Sequence, residues 1–322
     1  MKRTIYIHLF FLFFLALIVD VQGGVLQDAG NAGSVDRETF VYSEKDGVSL
    51  KLDKYRLKQS EGKQTCVLFM FGGGFRNGER TGNGNLQYYD FLAKQGYTVI
   101  AIDYRLGLKN VYDSSLEKII PALGNAIYMA VEDLYDATNY TLQYASEWDV
   151  DSEKIVISGS SAGAIAVLQA AYEQNQGSAI AKKLPAGFEY AGVIGFAGAI
   201  FSKGEMNWKE KVPPMLLFHG DRDATVPFAK LEMGGLQFCG SYHIAEQLKR
   251  KYSSHCFFRV VGAEHEISTD PMKYNLPDIQ RFISLFVENK QQLMIHSVVE
   301  KAEKLEGLPP VKFEDFIKNN FK

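Results

Sequence analysis

The residues with the most chemical potential lie in short segments directly after apolar runs. The run KIVIS (154–158) leads into Gly159-Ser160-Ser161-Ala162-Gly163, and AIAVLQAAYEQ follows with helical character. A serine on a sharp strand-to-helix turn is held in a strained conformation with its hydroxyl exposed, and small neighbours on either side avoid clashes. The N-terminus of the following helix favours negative charge forming nearby. Ser161 is the expected nucleophile, and Ser160 should point elsewhere. The plainer alternative is a small-residue helix start in which one serine caps the first turn.

Three further segments complete the chemistry that a nucleophilic serine needs. Gly72-Gly73-Gly74-Phe75 follows TCVLFMF. Acyl transfer builds a negative oxygen, and backbone N–H groups aimed at it lower the barrier, provided that the backbone can come close enough. His219-Gly220-Asp221-Arg222-Asp223 follows PMLLF, and Gly262-Ala263-Glu264-His265-Glu266 follows CFFRVV. Asp223 is the expected triad acid, and Asp221 is expected to brace the turn through local backbone hydrogen bonds. His265 is the expected base. His219 reads as a structural strand-end residue with too little reach, and His243 and His255 lie within or before elements. The chain order Ser161, Asp223, His265 is that of the α/β hydrolases and differs from both familiar serine-protease orders.

The elements that must position these residues are legible as patterns. VSLKLDKYRL pairs with ETFVYS through an Asp46-Gly47 turn, which predicts an antiparallel N-terminal hairpin. Residues 65–71, 97–103, 154–158, 191–197, 214–220 and 256–261 are continuously apolar, as strands covered on both faces are. Helical stretches at 86–95, 115–145, 162–174 and 242–252 alternate with them. The alternation predicts an α/β fold: a mostly parallel sheet with helices on both faces, and ligands bound beyond the carboxyl ends of the strands. Residues 201–212 interrupt this rhythm and are expected to contribute to a lid. Val298, Val299, Ala302 and Leu305 are spaced for a helix, ended by Pro309-Pro310.

With 322 residues and a formal net charge of -3, the chain has neither the basic patches nor the charge blocks of a nucleic-acid or anionic-membrane binder. Lys2 and Arg3 precede the apolar run 5–19, and Val21-Gln22-Gly23 offers small residues to a peptidase. This is the layout of a secretory signal over residues 1–23, and the run is short of the roughly 20 residues that span a bilayer. The mature chain is expected to be secreted or periplasmic, without stable membrane insertion. It should form one domain over 24–322, with a flexible start near 24–37, a catalytic core at about 38–290 and a helical extension at about 291–322. Cys66 reads as a small buried hydrophobe; Cys239 and Cys256 either pair in an oxidising compartment or stay as thiols. No cysteine spacing suits a metal, and no metal or organic cofactor is expected.

FMFGGGFRNG (69–78), IAIDYRLG (100–107), WDVDSEKIVISGSSAGA (148–164), HGDRDATVP (219–227) and GAEHE (262–266) resemble the α/β-hydrolase esterases of the carboxylesterase and feruloyl- or acetyl-esterase-like group. The resemblance covers about residues 40–290. It implies that the backbone amides of Gly73, Gly74 and Ala162 form the oxyanion hole. It also implies ester substrates, small or linked to plant-type polysaccharides. One departure is Phe71, where many relatives carry a loop-bracing histidine. Phe75, Tyr104, Trp208, Phe228 and Tyr274 are candidate aromatic contacts for an acid or a sugar, or else packing residues. A peptidase of the same fold and a hydrolase-like binding protein without catalysis are the rival readings.

Overall fold

A computed structural model describes residues 33–112, 115–209, 211–233, 235–300 and 312–320. The expected signal segment, the start of the 24–37 stretch, and Ala302, Leu305 and Pro309-Pro310 lie outside the described residues.

The first described strands are β1 (Val35–Lys45) and β2 (Val48–Leu57), so Val35, Asp36 and Arg37 of the stretch expected to be flexible are part of a strand. They form an antiparallel hairpin closed by Asp46 and Gly47, which adopt φ of 51° and 74°. Two consecutive positive-φ residues match the right-handed twist of the flanking strands. Then follow β3 (Gln64–Met70), α1 (Asn83–Lys94), β4 (Thr98–Ile102), α2 (Leu116–Gln143), β5 (Val150–Ser160), α3 (Ala162–Gln176) and β6 (Gly192–Phe196). The second half supplies β7 (Ala199–Lys203), β8 (Met215–Gly220), β9 (Lys230–Met233), β10 (Leu236–Gly240), α4 (Ser241–Arg250) and β11 (His255–Val261). It ends in α5 (Pro271–Tyr274), α6 (Leu276–Phe282), β12 (Met294–Glu300) and α7 (Phe313–Asn320).

Nine strands make the main sheet in the order β1-β2-β4-β3-β5-β6-β8-β11-β12. From β4 to β12 every pairing is parallel, and only the hairpin runs antiparallel to its neighbours. The central strands are buried along their length, which is why they read as unbroken apolar runs. Both faces are covered by helices. A Cβ placed on Gly192 would meet Phe282 of α6 and Val287 in the turn after it, whereas one placed on Gly195 would meet Leu168 of α3. Positions three apart on a strand face opposite ways, so these helices lie on opposite faces.

Two expectations need correction. Residues 294–300 are not helical: they form β12, an edge strand parallel to β11, whose exposed side chains supply no apolar face to reveal the strand period. Residues 199–203 form β7, which joins β10 and β9 in a separate three-stranded antiparallel sheet. Trp208 beyond it is fully buried, edge-on to Tyr172, and no described residue of 201–212 lines the cleft that holds Ser161, so the segment does not cover it as a lid. All three cysteines are free and buried, and burial pushes the Cys239 and Cys256 thiols up to about 12. They pack as small apolar groups and do not pair. Among the described residues, no helix is long and apolar enough to cross a membrane.

Candidate active site

The strand order dictates where a site can form. After β3 the chain steps outward to β4, then returns to place β5 on the other side of β3. The loops leaving β3 and β5 therefore diverge, and the crevice between their carboxyl ends is the topological switch point where such sheets bind ligands. The glycine loop leaves β3 there, and Ser161 leaves β5.

Ser161 adopts φ 51° and ψ −116°, a conformation sparsely populated by side-chain-bearing residues. Its amide donates to the carbonyl of Phe196 (2.9 Å), which ties the turn to β6. The small neighbours are sterically required. A Cβ on Gly159 would fall 2.4 Å from Gly163, and one on Gly163 would fall 2.2 Å from the carbonyl oxygen of Met70. The buried hydroxyl of Ser160 donates to the carbonyl of Ser268 (2.7 Å) and is committed there, not to His265.

Ser161 Oγ stands 2.8 Å from His265 Nε2, and His265 Nδ1 stands 2.7 Å from Asp223 Oδ2. An ionised carboxylate only accepts, so Nδ1 carries the proton and donates it. The Nε2 lone pair is thereby left facing the serine hydroxyl, which donates to it. Asp223 is fully buried, and its Oδ1 accepts the amides of Thr225 (2.8 Å) and Val226 (2.9 Å). Burial pushes its carboxyl up, but hydrogen bonds and charge from His219 and His265 outweigh that and hold it well below the usual carboxylate range.

The loop bearing His265 is clamped from both sides. Asp221 Oδ1 accepts the amide of Gly262 (2.8 Å), and its Oδ2 accepts from Arg259 Nη2 (2.8 Å). Asp221 thus braces the histidine loop and the end of β11, not its own turn. The Ser160 bond to Ser268 fixes the far end of the same loop. His219 is fully buried, with Nδ1 2.8 Å from Ser241 Oγ and Nε2 3.2 Å from the Val226 carbonyl. Its Nε2 also lies 3.4 Å from Asp223 Oδ2, so the strand-end residue flanks the acid as well.

Facing the hydroxyl, Gly73 and Gly74 take φ of 120° and 62°, which glycine alone adopts without strain. Among the described residues, no loop or turn hydrogen bond uses the amides of Gly73, Gly74 or Ala162, and all three residues line the cleft that holds Ser161 and His265. Free backbone donors beside a nucleophile are what a developing oxyanion requires. Phe71 stacks on Tyr104 with ring centroids 4.5 Å apart, and the Tyr104 hydroxyl donates to the Phe71 carbonyl (2.8 Å). An aromatic stack therefore braces the glycine loop.

The cleft has a volume of about 600 Å³. Of the aromatics singled out in the sequence, only Phe75 lines it. Tyr104 lies behind the loop, Trp208 is in the core, Phe228 stacks on Tyr242, and Tyr274 is exposed. The apolar wall is built instead from Leu123, Ile165, Val226, Phe238 and Phe316, of which only Val226 belongs to a motif. Among the described residues, no cluster of histidine, cysteine and acidic side chains could hold a metal ion.

Comparison with known proteins places this geometry. Residues 52–200 match the BD-FAE family model. No curated protein matches the sequence. Similar solved structures include an esterase 2 of Thermogutta terrifontis, described as phosphoramylated by tabun. It is 23% identical, with a TM-score of 0.57 over 78% of this chain and 94% of that one. A butyrate-bound form is 21% identical, with a TM-score of 0.55 over 79% and 94%. The apo form is 21% identical, with a TM-score of 0.54 over 80% and 95%. The architecture of this chain is the α/β-hydrolase fold.

Proposed function

We propose that this α/β hydrolase is a serine esterase that cuts carboxylic esters through an acyl-enzyme on Ser161. The observation that carries the reading is the relay of Ser161 Oγ, His265 and Asp223, at 2.8 and 2.7 Å, facing unoccupied glycine-loop amides. As Ser161 Oγ attacks the acyl carbon, its proton passes to His265 Nε2. Asp223 holds the imidazole tautomer and stabilises the imidazolium that forms. The carbonyl oxygen becomes an oxyanion held by the amides of Gly73, Gly74 and Ala162. When the tetrahedral intermediate collapses, the C–O bond to the alcohol breaks and His265 gives that oxygen its proton. A water molecule then repeats the sequence against the acyl-enzyme and releases the acid.

The finer substrate reading is an acyl group, feruloyl or acetyl, esterified to a polysaccharide, acted on outside the cytoplasm. It is supported by the resemblance of the motifs, by the secretory layout of residues 1–23 and by the apolar wall of the cleft. Fluorophosphonate labelling tests the site, and a panel of nitrophenyl esters, feruloylated and acetylated sugars and aminoacyl-amides tests the substrate. Labelling of the natural chain and none of Ser161→Ala is expected, with turnover of esters but not amides. An unlabelled natural chain, or equal labelling of both, would overturn the assignment.

A further inference from the structure

The C-terminal helix α7 forms a wall of the cleft. Phe316, Asn319 and Asn320 all line it. Phe316 is buried and meets Phe238 of β10 edge-on, with ring centroids 5.5 Å apart. Asn320 Nδ2 donates to the carbonyl of Thr225 (2.8 Å), and the amide of Thr225 is one of the two that hold Asp223. One short helix thus bridges the turn that carries the triad acid and the accessory sheet β7-β10-β9. A second cavity of about 40 Å³ lies behind this wall and shares Leu123, Phe238 and Phe316 with the cleft. Its remaining lining is Ile120, Phe201, Leu231 and Leu236 with Glu232 and Gln237, so it is a small and mainly apolar space.

We infer that Phe316 is a specificity-determining residue, and that the arm of the cleft it closes takes an apolar group of the substrate. The inference rests on the esterase reading and names its substrate class: esters with an extended alkyl or aryl arm. A polar group set against Leu123, Phe238 and Phe316 would lose hydrogen bonds to water that these side chains cannot replace. Phe316 lines both the cleft and the space behind it, so a smaller side chain should lengthen that arm and a larger one shorten it.

The test uses two ester series, nitrophenyl esters from acetate to octanoate and acetate esters of alcohols from methanol to octanol. Phe316→Ala is expected to raise the long-to-short ratio of kcat/KM about tenfold in one series, and Phe316→Trp to lower it by a similar factor, since each methylene gained or lost in an apolar pocket changes discrimination on that scale. The change should appear mainly in KM and should grow with chain length along the series. A second readout avoids turnover: in a Ser161→Ala background, calorimetry compares the binding of octanoate and acetate with Phe, Ala and Trp at 316. Ratios within about twofold of the natural chain for both variants in both series, together with octanoate binding indifferent to residue 316, would overturn the inference. Octanoate binding that follows residue 316 in a protein that hydrolyses no ester would leave the pocket standing and remove the esterase reading.

Discussion

Asp223→Asn is the most informative single change, because the surrounding hydrogen bonds dictate how the new amide must sit. In the natural chain Oδ1 accepts the amides of Thr225 and Val226, and Oδ2 accepts from His265 Nδ1. Asparagine has one oxygen for these two duties. If that oxygen turns toward His265, its NH2 group points at two backbone N–H groups, and two buried donors lose their acceptor at about 1–3 kcal/mol each. The oxygen is therefore held by Thr225 and Val226, and the NH2 group faces the imidazole. His265 must then present a lone pair at Nδ1 and carry its proton on Nε2, aimed at Ser161 Oγ. A base in that tautomer cannot accept the serine proton. The expected loss in kcat is about 10⁴-fold, which corresponds to about 5.4 kcal/mol of transition-state stabilisation. Both backbone bonds survive, so circular dichroism should show a folded chain, less stable only by the contribution of the missing charge. Adding His265→Ala should cost nothing beyond His265→Ala alone, since the acid acts only through the imidazole. Steady-state kinetics on a nitrophenyl ester measures all three variants. If folded Asp223→Asn retains more than about a tenth of the natural kcat, or if the double variant loses activity additively, the tautomer argument is wrong.

Asp221→Ala removes the acceptor of the Gly262 amide and the partner of Arg259. It should lower kcat by about tenfold while KM stays within twofold, as expected when a base is misplaced and substrate binding is spared. Gly163→Ala forces a Cβ to 2.2 Å from the Met70 carbonyl oxygen, so it should cost about 3 kcal/mol or more in urea unfolding. Gly84→Ala in α1, where a Cβ meets nothing within 4 Å, is the control, and should leave stability unchanged or raise it by up to about 1 kcal/mol. The Asp223 carboxyl is held below its ordinary range in the folded protein. It contributes stability that is fully present above the unfolded carboxylate pKa and is lost as pH falls toward the folded value. The stability advantage of the natural chain over Asp223→Asn should therefore shrink as pH drops below about 4, and a gap that widens on acidification would contradict the sign.

The parts of this site that were legible in the sequence share one property: each is written within a few residues of a strand end. Buried central strands read as continuous apolar runs because helices cover both faces, and the chemistry then sits in the first turn after each run. Ser161, Asp223, His265 and the three glycines each stand in such a turn. What escaped depends on contacts between distant segments. Asp221 looks like a turn residue locally, yet its acceptors reach Gly262 and Arg259 on the next loop and strand. Phe238 sits in a five-residue strand that joins a sheet outside the main one, and Phe316 sits on a helix beyond the expected core. Neither has a neighbour in sequence that marks it. The strand β12 misled for the related reason that an edge strand with both sides exposed carries no alternation, so Val298 and Val299 fit a helical spacing equally well. Reaction chemistry in this chain is encoded locally, by turns that tolerate few residue types. The shape that selects a substrate is encoded by which distant apolar side chains the fold brings to the cleft, and that is set only when the accessory sheet and α7 are in place.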